Sequence, residues 1–266
     1  MIEGGKRTRG FNYESTENEP VISVITIVYN RVEDLSKTFD SVFSQSYSNI
    51  EYVVVDGGST DGSLDLIKAY DDKLAYWRSE PDNGLYDAMN KALSLATGDY
   101  VWFMNAGDLI YNTDTASKMI AQKGRSADIY FGETLMFDEN GKEYGLRSEV
   151  TTQKLPKTLN WKSLQRGMVV CHQSILVRRS IAPNYILGHP YSADIDWVIK
   201  CLKKADQIHN TNMILSRYLM GGFSKKNLKK SLLDRYQILQ RHYGFIPNLW
   251  NHAIIVLRAV FSSAKY

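Results

Sequence analysis

An α/β fold, built on a mostly parallel central sheet flanked by helices, is predicted by three observations. From Pro20 to about Phe131, short apolar, β-branched runs alternate with amphipathic stretches, as strands alternate with crossover helices. In the first of those stretches Leu35, Phe39, Val42 and Phe43 recur at helical spacing. Turn-rich segments bearing glycine and aspartate follow the strand-like runs.

The first strand reads Val21-Ile22-Ser23-Val24-Ile25-Thr26-Ile27-Val28, and Tyr29-Asn30-Arg31 leads from it into the helix. A second strand, Ile50 to Val55, runs into Asp56-Gly57-Gly58-Ser59-Thr60-Asp61-Gly62 and a helix around Ser63 to Tyr70. A third, near Leu74 to Arg78, passes through Pro81-Asp82-Asn83-Gly84 to a helix over Leu85 to Leu95, with Gly98 beyond its end. The fourth, Tyr100 to Met104, ends in Asn105-Ala106-Gly107-Asp108. Ligands of open α/β sheets bind outside the carboxyl ends of the strands, so Thr26 to Arg31, Asp56 to Asp61 and Asn105 to Asp108 are expected to converge on one crevice.

Beyond Phe131 the regular signals thin out. A hairpin is expected at Asp138-Glu139-Asn140-Gly141, then a basic, proline-containing stretch to about Arg166. Cys171-His172-Gln173 precedes a buried strand over Ser174 to Val177, and Ser192-Ala193-Asp194-Ile195-Asp196-Trp197 opens a helix through Leu202. Between Arg217 and Arg241 seven lysines and arginines face a single acid, Asp234, a local charge of +6. The terminal apolar stretch from Leu249 to Phe261 is interrupted by His252 and Arg258 and is shorter than the roughly 20 residues that span a bilayer. An interfacial helix beside a basic segment is expected instead, because apolar burial and attraction to anionic lipid add.

Composition narrows the class. With 266 residues, 44% hydrophobic and 23% charged, the chain is globular, and neither disorder nor coiled coil is its main architecture. A formal charge of +3 is too balanced for a dedicated nucleic-acid binder. Two cysteines, Cys171 and Cys201, supply neither a disulfide framework nor a zinc site, which makes a reducing cytosol the expected compartment. Residues 1–19 carry no apolar signal segment and are expected to be loosely ordered.

Taken in order, Pro20 to Asn30, Val55-Asp56-Gly57-Gly58-Ser59-Thr60-Asp61-Gly62-Ser63, Gly84-Leu85-Tyr86-Asp87-Ala88-Met89-Asn90-Lys91-Ala92 and Ala96-Thr97-Gly98-Asp99-Tyr100 resemble the family 2 glycosyltransferases of GT-A fold. The chain looks most like the small bacterial enzymes that build O-antigen and capsular polysaccharides. The resemblance implies a GT-A domain over 20–224, with a nucleotide-sugar half at 20–110 and an acceptor half at 111–224, followed by a helical, membrane-docking segment at 225–266. It implies an inverting transfer from a nucleotide diphosphate-sugar, a UDP-sugar, to a hydroxyl of a lipid-linked glycan at the inner face of the cytoplasmic membrane. The donor contacts it implies are Thr26, Tyr29, Asn30, Arg31, Asp56, Asp82, Asn90, Lys91, Asn105, Ala106 and Gly107, although Lys91 also reads as a surface lysine.

Each role has a plainer alternative. Asp56 suits a base N–H or a ribose hydroxyl, or it caps its loop as an Asx turn. Asp82 is either a second nucleotide contact or part of an ordinary turn. The family's metal motif is Asp-any-Asp, whereas Asn105 stands here in the first position and the spacing carries an extra residue. Asp108 is then the single anionic ligand for Mn²⁺ or Mg²⁺, sufficient where the donor's phosphates complete the shell, or else a turn cap. Inverting transfer needs a base. Asp194 and Asp196 lie about 200° apart on a helix, so one of them faces the site. The family's Ala-Asp-aromatic-Asp pattern makes Asp194 that base, the alternative being a helix cap, and turns Asp196 toward Arg178, Arg179 or His172. His172 and Gln173 are read as acceptor or phosphate contacts, with a structural histidine as the alternative. Arg217, Gly221-Gly222-Phe223-Ser224 and Lys225 resemble a mobile loop that neutralises diphosphate, or they form a solvated basic face.

Other classes fit less well. Thr26 to Arg31 holds no glycine, against a dinucleotide-binding turn, and no Gly-x-x-x-x-Gly-Lys-Ser/Thr occurs. Asp108 with Asp194 could be misread as a glycosidase pair, which needs no nucleotide. A sugar-nucleotide-binding scaffold without turnover is the non-enzymatic alternative.

Overall fold

The computed structural model describes residues 1–221 and 227–261. In these, one sheet contains β1 (Ile2–Gly4), β2 (Ile22–Val28), β3 (Ile50–Asp56), β4 (Tyr76–Ser79), β5 (Tyr100–Phe103), β6 (Leu109–Ile110), β7 (Ile129–Phe137), β8 (Glu143–Leu146), β9 (Ile175–Arg178) and β10 (Ile208–Leu219). The helices are α1 (Val32–Phe43), α2 (Ser63–Ala69), α3 (Leu85–Leu95), α4 (Thr115–Ala121), α5 (Arg147–Val150), α6 (Ala193–Lys204), α7 (Leu228–Tyr243) and α8 (Phe245–Phe261). Strand order is β1-β4-β3-β2-β5-β9-β7-β10-β6, with β8 paired to β7. Strands β4, β3, β2 and β5 run parallel, while β9 is antiparallel to both β5 and β7. The order reverses at β2, whose successors β3 and β5 lie on opposite sides, and this is the switch point where such sheets bind ligands.

Strand β2 is buried along its whole length, as expected of a parallel strand covered on both faces. Its even-numbered apolar residues Ile22, Val24 and Val28 pack with Leu35, Phe39 and Val42 of α1 and with Ile67 of α2. Ile25 and Ile27 point the other way, onto a layer containing Met89 and Ala92 of α3 and Trp197 and Val198 of α6. Each fully buried side chain of this size stabilises the fold by about 1.5–3 kcal/mol.

Three expectations change. The first nineteen residues are not loosely ordered at their start: β1 pairs antiparallel with β4, and Arg7 Nη1 reaches the buried Glu51 carboxylate at 3.0 Å and the Leu95 carbonyl at 2.6 Å. Pairing with an open sheet edge and an ion pair to a buried acid supply the order that local composition lacks. The helical segment expected over 225–266 also contributes to the core, where Ile238 and Leu239 of α7 are fully buried on the α6 side. Strand β10, which no pattern announced, runs parallel to β7 with bulges around Asn210 and Ile214. The expected hairpin joins β7 to β8, with the Lys142 carbonyl accepting the Asp138 N–H at 3.1 Å.

Candidate active site

The loops after β2 and β3 are knitted together. Asn30 adopts a left-handed conformation (φ 51°), which asparagine tolerates, and its Oδ1 accepts the Thr60 N–H at 2.8 Å while its own N–H donates to Ser59 Oγ at 2.8 Å. Asp56, fully buried at the end of β3, accepts the Ser59 N–H at 3.2 Å and the Ser79 hydroxyl at 2.6 Å. Gly57 permits the next contact: a Cβ there would stand 2.3 Å from Asp82 Oδ2 and 3.4 Å from the Tyr29 ring. Asp56, Asp82 and Tyr29 therefore meet in one place, and Tyr29 keeps 62% of its surface exposed there. Burial pushes the Asp82 carboxyl up, opposed by the Gly84 N–H that it accepts at 2.8 Å. Arg31 turns back to Asp34 at 2.5 Å.

Not every expected donor contact lies at this crevice. Thr26 is fully buried on the α1-facing side of β2, where its hydroxyl donates to the Met104 carbonyl at 2.7 Å and meets the Tyr52 hydroxyl at 2.8 Å. Asn90 spends both ends of its amide on the Tyr185 backbone, at 2.9 and 2.7 Å. Lys91 donates to the Pro81 carbonyl at 2.9 Å and lies within 3.5 Å of Glu80 and Asp87, which ties down the loop carrying Asp82.

After β5 the chain makes a tight turn in which the Asn105 carbonyl accepts the Asp108 N–H at 2.8 Å and Gly107 takes φ 104°. Thr38 of α1 seats this turn, accepting the Gly107 N–H and donating to the Asp108 carbonyl, each at 2.9 Å, and the Ala106 N–H bonds back to Ile27 at 3.3 Å. The buried Asp108 carboxylate accepts the Gln173 amide at 2.8 Å and the Leu219 N–H at 3.2 Å. Burial nonetheless pushes its carboxyl up to about 7. At the start of the same turn Asn105 Oδ1 is a buried acceptor with no hydrogen-bond partner among the described residues. Among the described residues no group of three or more His, Cys, Asp or Glu side chains could hold a metal. One carboxylate and one unsatisfied amide oxygen fit a hard cation that takes its remaining ligands from phosphate and water.

Gln173 was expected to touch the acceptor or a phosphate, and it holds Asp108 instead. His172, expected in the same role, is a core histidine. It packs 5.1 Å from Phe103 and 5.4 Å from Trp197 between ring centroids, its Nε2 meets the Tyr185 hydroxyl at 2.7 Å, and burial drives its pKa down to about 4. Tyr185 stacks on Trp197 at 5.2 Å and on Tyr86 at 5.5 Å, so an aromatic wall joins the Asp108 side to the acceptor half.

Asp194 sits in the first turn of α6, where its Oδ1 receives the Tyr86 hydroxyl at 3.3 Å and the Ile195 N–H at 2.9 Å. Burial raises its carboxyl to about 6 against those two bonds. Asp196 does not turn to Arg178, Arg179 or His172; it pairs with His242 at 2.8 Å and Lys200 at 2.7 Å, while Arg178 binds Asp128 and Arg179 binds the Gly98 carbonyl. Arg217 lies within β10 rather than in a loop, its guanidinium 2.8 Å from Glu143 and over the Phe137 ring. Ser224 and Lys225, with Gly222 and Phe223, lie outside the described residues.

Four residues near Asp194 escaped sequence reasoning. Tyr86 stood inside a quoted motif without a role. His189 is buried with its Nδ1 2.5 Å from Asp234 Oδ1, and Asp234 also accepts the Tyr191 N–H at 3.0 Å. Arg235 follows on α7. The signal for this pair was Asp234 itself, the single acid in a run of cations.

A mostly parallel sheet with carboxylates at its strand ends, joined to a second half that carries the partly buried Asp194, has the architecture of the GT-A class of folds. The chain belongs to glycosyl transferase family 2, whose family model matches residues 23–185. It is 30% identical over 233 residues to the PGL/p-HBAD biosynthesis glycosyltransferase of Mycobacterium bovis, covering 84% of this chain and 86% of that one. The putative glycosyltransferase EpsE of Bacillus subtilis is 31% identical over 219 residues, 80% of this chain and 72% of EpsE. An uncharacterized glycosyltransferase of Mycobacterium tuberculosis is 40% identical over 102 residues, but the match spans only 38% of this chain and 39% of its length. Among solved structures, S. aureus TarS in complex with UDP shares the fold with a TM-score of 0.61 at 18% identity, covering 91% of this chain and 72% of that one. The mannosyltransferase PcManGT from Pyrobaculum calidifontis, in complex with GDP-Man and Mn²⁺, gives 0.61 at 17% identity, covering 97% and 81%.

Proposed function

We propose that this protein is an inverting glycosyltransferase that moves one sugar from a nucleotide diphosphate-sugar, a UDP-sugar, to a hydroxyl of a lipid-linked glycan during surface polysaccharide synthesis. The observation that carries the reading is Asp194, a partly buried carboxylate at the start of α6 that accepts the Tyr86 hydroxyl and is held near pKa 6, with the aromatic wall running between it and the strand-end loops. A base of that pKa is largely ionised at neutral pH and still accepts a proton as the acceptor oxygen attacks. The acceptor O–H bond breaks toward Asp194, the oxygen bonds to C1, and the C1–phosphate oxygen bond breaks to release nucleoside diphosphate.

Tyr29 offers the base an exposed ring, and Asp82 and the Asp56 loop offer acceptors for its N–H or the ribose hydroxyls. Asp108 and Asn105 Oδ1 would hold Mn²⁺ or Mg²⁺, which supplies Lewis-acid stabilisation of the departing diphosphate. UDP in the TarS complex and GDP-Man with Mn²⁺ in PcManGT support a nucleotide and a divalent cation in this fold.

Membrane docking rests on the α7–α8 corner. No described helix is long and apolar enough to cross a bilayer, yet Ile246 and Trp250 are 78% and 70% exposed beside Phe245 and Leu249, with Arg241 exposed nearby. An apolar tip beside cations suits the anionic inner leaflet.

The test is calorimetric titration of the protein with UDP, GDP, dTDP and CDP, each with Mn²⁺, Mg²⁺ or EDTA, repeated with Asp108→Ala. Metal-dependent binding of one nucleotide, lost in the variant, supports the reading. Absence of any nucleotide binding overturns it, and binding with no turnover in the presence of acceptor lipids favours the scaffold alternative.

A further inference from the structure

Among the partly buried arginines of the described residues, Arg235 is the one without a polar partner. Arg7, Arg31, Arg78, Arg125, Arg147, Arg178 and Arg179 each meet a carboxylate or a carbonyl. Arg235, partly buried on α7, makes no hydrogen bond and no ion pair with any described residue, and its Nε is buried without a partner. Its neighbour Asp234 points away from it, toward His189 and the Tyr191 N–H, as adjacent residues of a helix do. The guanidinium stands beside the backbone of Gly167, where a Cβ would lie 3.8 Å from Arg235 Nη1 and 3.6 Å from Gln153 Nε2. Both near groups there are nitrogen donors. Asp194 lies close by in the fold: two residues before it the Ser192 hydroxyl donates to the Ser231 carbonyl at 3.2 Å, one turn ahead of Arg235 on α7.

A guanidinium is a planar fork of five N–H donors with no acceptor capacity, and leaving it desolvated and unpaired is costly. A partly buried fork flanked by another donor, on a helix packed against the start of α6, is complementary to an anionic oxygen group entering from outside. Resting on the reading of Asp194 as the base, we propose that Arg235 binds an oxyanion carried by the acceptor, a phosphate adjoining the sugar whose hydroxyl Asp194 activates. Because the start of α6 packs on the turn of α7 that leads to Arg235, that phosphate adjoins the sugar whose hydroxyl faces Asp194. The acceptor is therefore a sugar joined directly to its lipid diphosphate, and the preceding reaction is the one that installs a sugar phosphate on the lipid carrier.

The experiment titrates the full chain with geranyl diphosphate and, separately, glucuronate, in the presence of saturating nucleotide so that the donor site is filled. Geranyl diphosphate is expected to bind alongside nucleotide, with affinity falling tenfold or more, at least about 1.4 kcal/mol, in Arg235→Gln and less in Arg235→Lys. Nucleotide affinity, unchanged in both variants, reports that they are folded, and the charge-retaining lysine variant stands in if the glutamine variant is not. Binding of glucuronate alone, lost in Arg235→Gln, keeps an oxyanion at Arg235 but overturns the phosphate and the place in the sequence drawn from it. Equal binding to wild type and Arg235→Gln, or no binding of either anion, overturns the proposal. If no nucleotide binds, the transferase reading fails by itself, and the Arg235 comparison is still read with geranyl diphosphate alone.

Discussion

The Tyr86 hydroxyl donates to Asp194 Oδ1 at 3.3 Å, joining the first turn of α3 to the first turn of α6 across 108 residues of chain. This bond favours the ionised carboxylate, while burial favours the protonated one and wins, so the group stands near 6. Tyr86→Phe removes the opposing bond. The acid limb of the kcat profile is expected to move to higher pH by about 0.5–1 unit, since one hydrogen bond is worth about 0.5–1.5 kcal/mol and one pKa unit 1.36 kcal/mol. A pH–rate series on the variant checks it.

Asp194→Asn is expected to lower kcat by about 10²–10⁴-fold with nucleotide affinity unchanged. It should also stabilise the fold at pH 7.5. A carboxyl raised from 3.8 to about 6 binds more protons in the native than in the unfolded state across that interval, so stability falls as pH rises through it and the deficit persists above. The gain, after allowance for solvent screening, is on the order of 1–2 kcal/mol and is read from thermal melts.

Tyr29→Ala should weaken nucleotide binding by about 1–3 kcal/mol, the range for a base stacked on an aromatic ring. Tyr29 is largely exposed in the free protein, so the melting temperature should not move. Calorimetry and melts on the same sample separate the two effects.

Gln173→Leu leaves Asp108 with the Leu219 N–H as its remaining donor. Nucleotide affinity in Mn²⁺ is expected to fall about 10–100-fold, as when a residue orienting a metal ligand is lost, while affinity in EDTA stays constant. Equal losses in both buffers would mean that Gln173 serves the fold rather than the cation.

Ile246→Glu combined with Trp250→Glu should abolish cosedimentation with phosphatidylglycerol vesicles, because each exposed side chain forfeits about 1.5–3 kcal/mol of burial in lipid. Unchanged cosedimentation would remove the docking surface from the α7–α8 corner.

The nucleotide half was legible because strand and loop signals there are local. Six apolar or β-branched positions in β2, a glycine-rich turn after Asp56 and helical spacing from Leu35 to Phe43 each specify an element without distant help. Strand β1 was not legible, since three residues hold it only by pairing with β4. Strand β10 was hidden because its polar residues and the left-handed Asn212 (φ 53°) accompany bulges that break the period-two pattern. Within the site, Asp56, Asp108 and Asp194 came from motifs. Strand alternation would have turned Thr26 inward, because it shares a face with Val24 and Val28. The roles of Tyr86 and Asp234 come from contacts between segments far apart in the chain, and apart from the isolation of Asp234 among cations no short-range pattern points to them.

Helix α7 is anchored at both ends of its last two turns and before them: Asp234 to His189, His242 to Asp196, and the Tyr243 ring stacked 5.5 Å from Trp161. From Arg235 to Tyr243 it rises about 12 Å at 1.5 Å per residue, and the exposed apolar corner begins immediately beyond. Under the proposed docking the helix is a strut of set length between lipid surface and reacting hydroxyl. A product grown by one sugar presents its new end above that height, so a rigid support alone would stop the enzyme after a single addition.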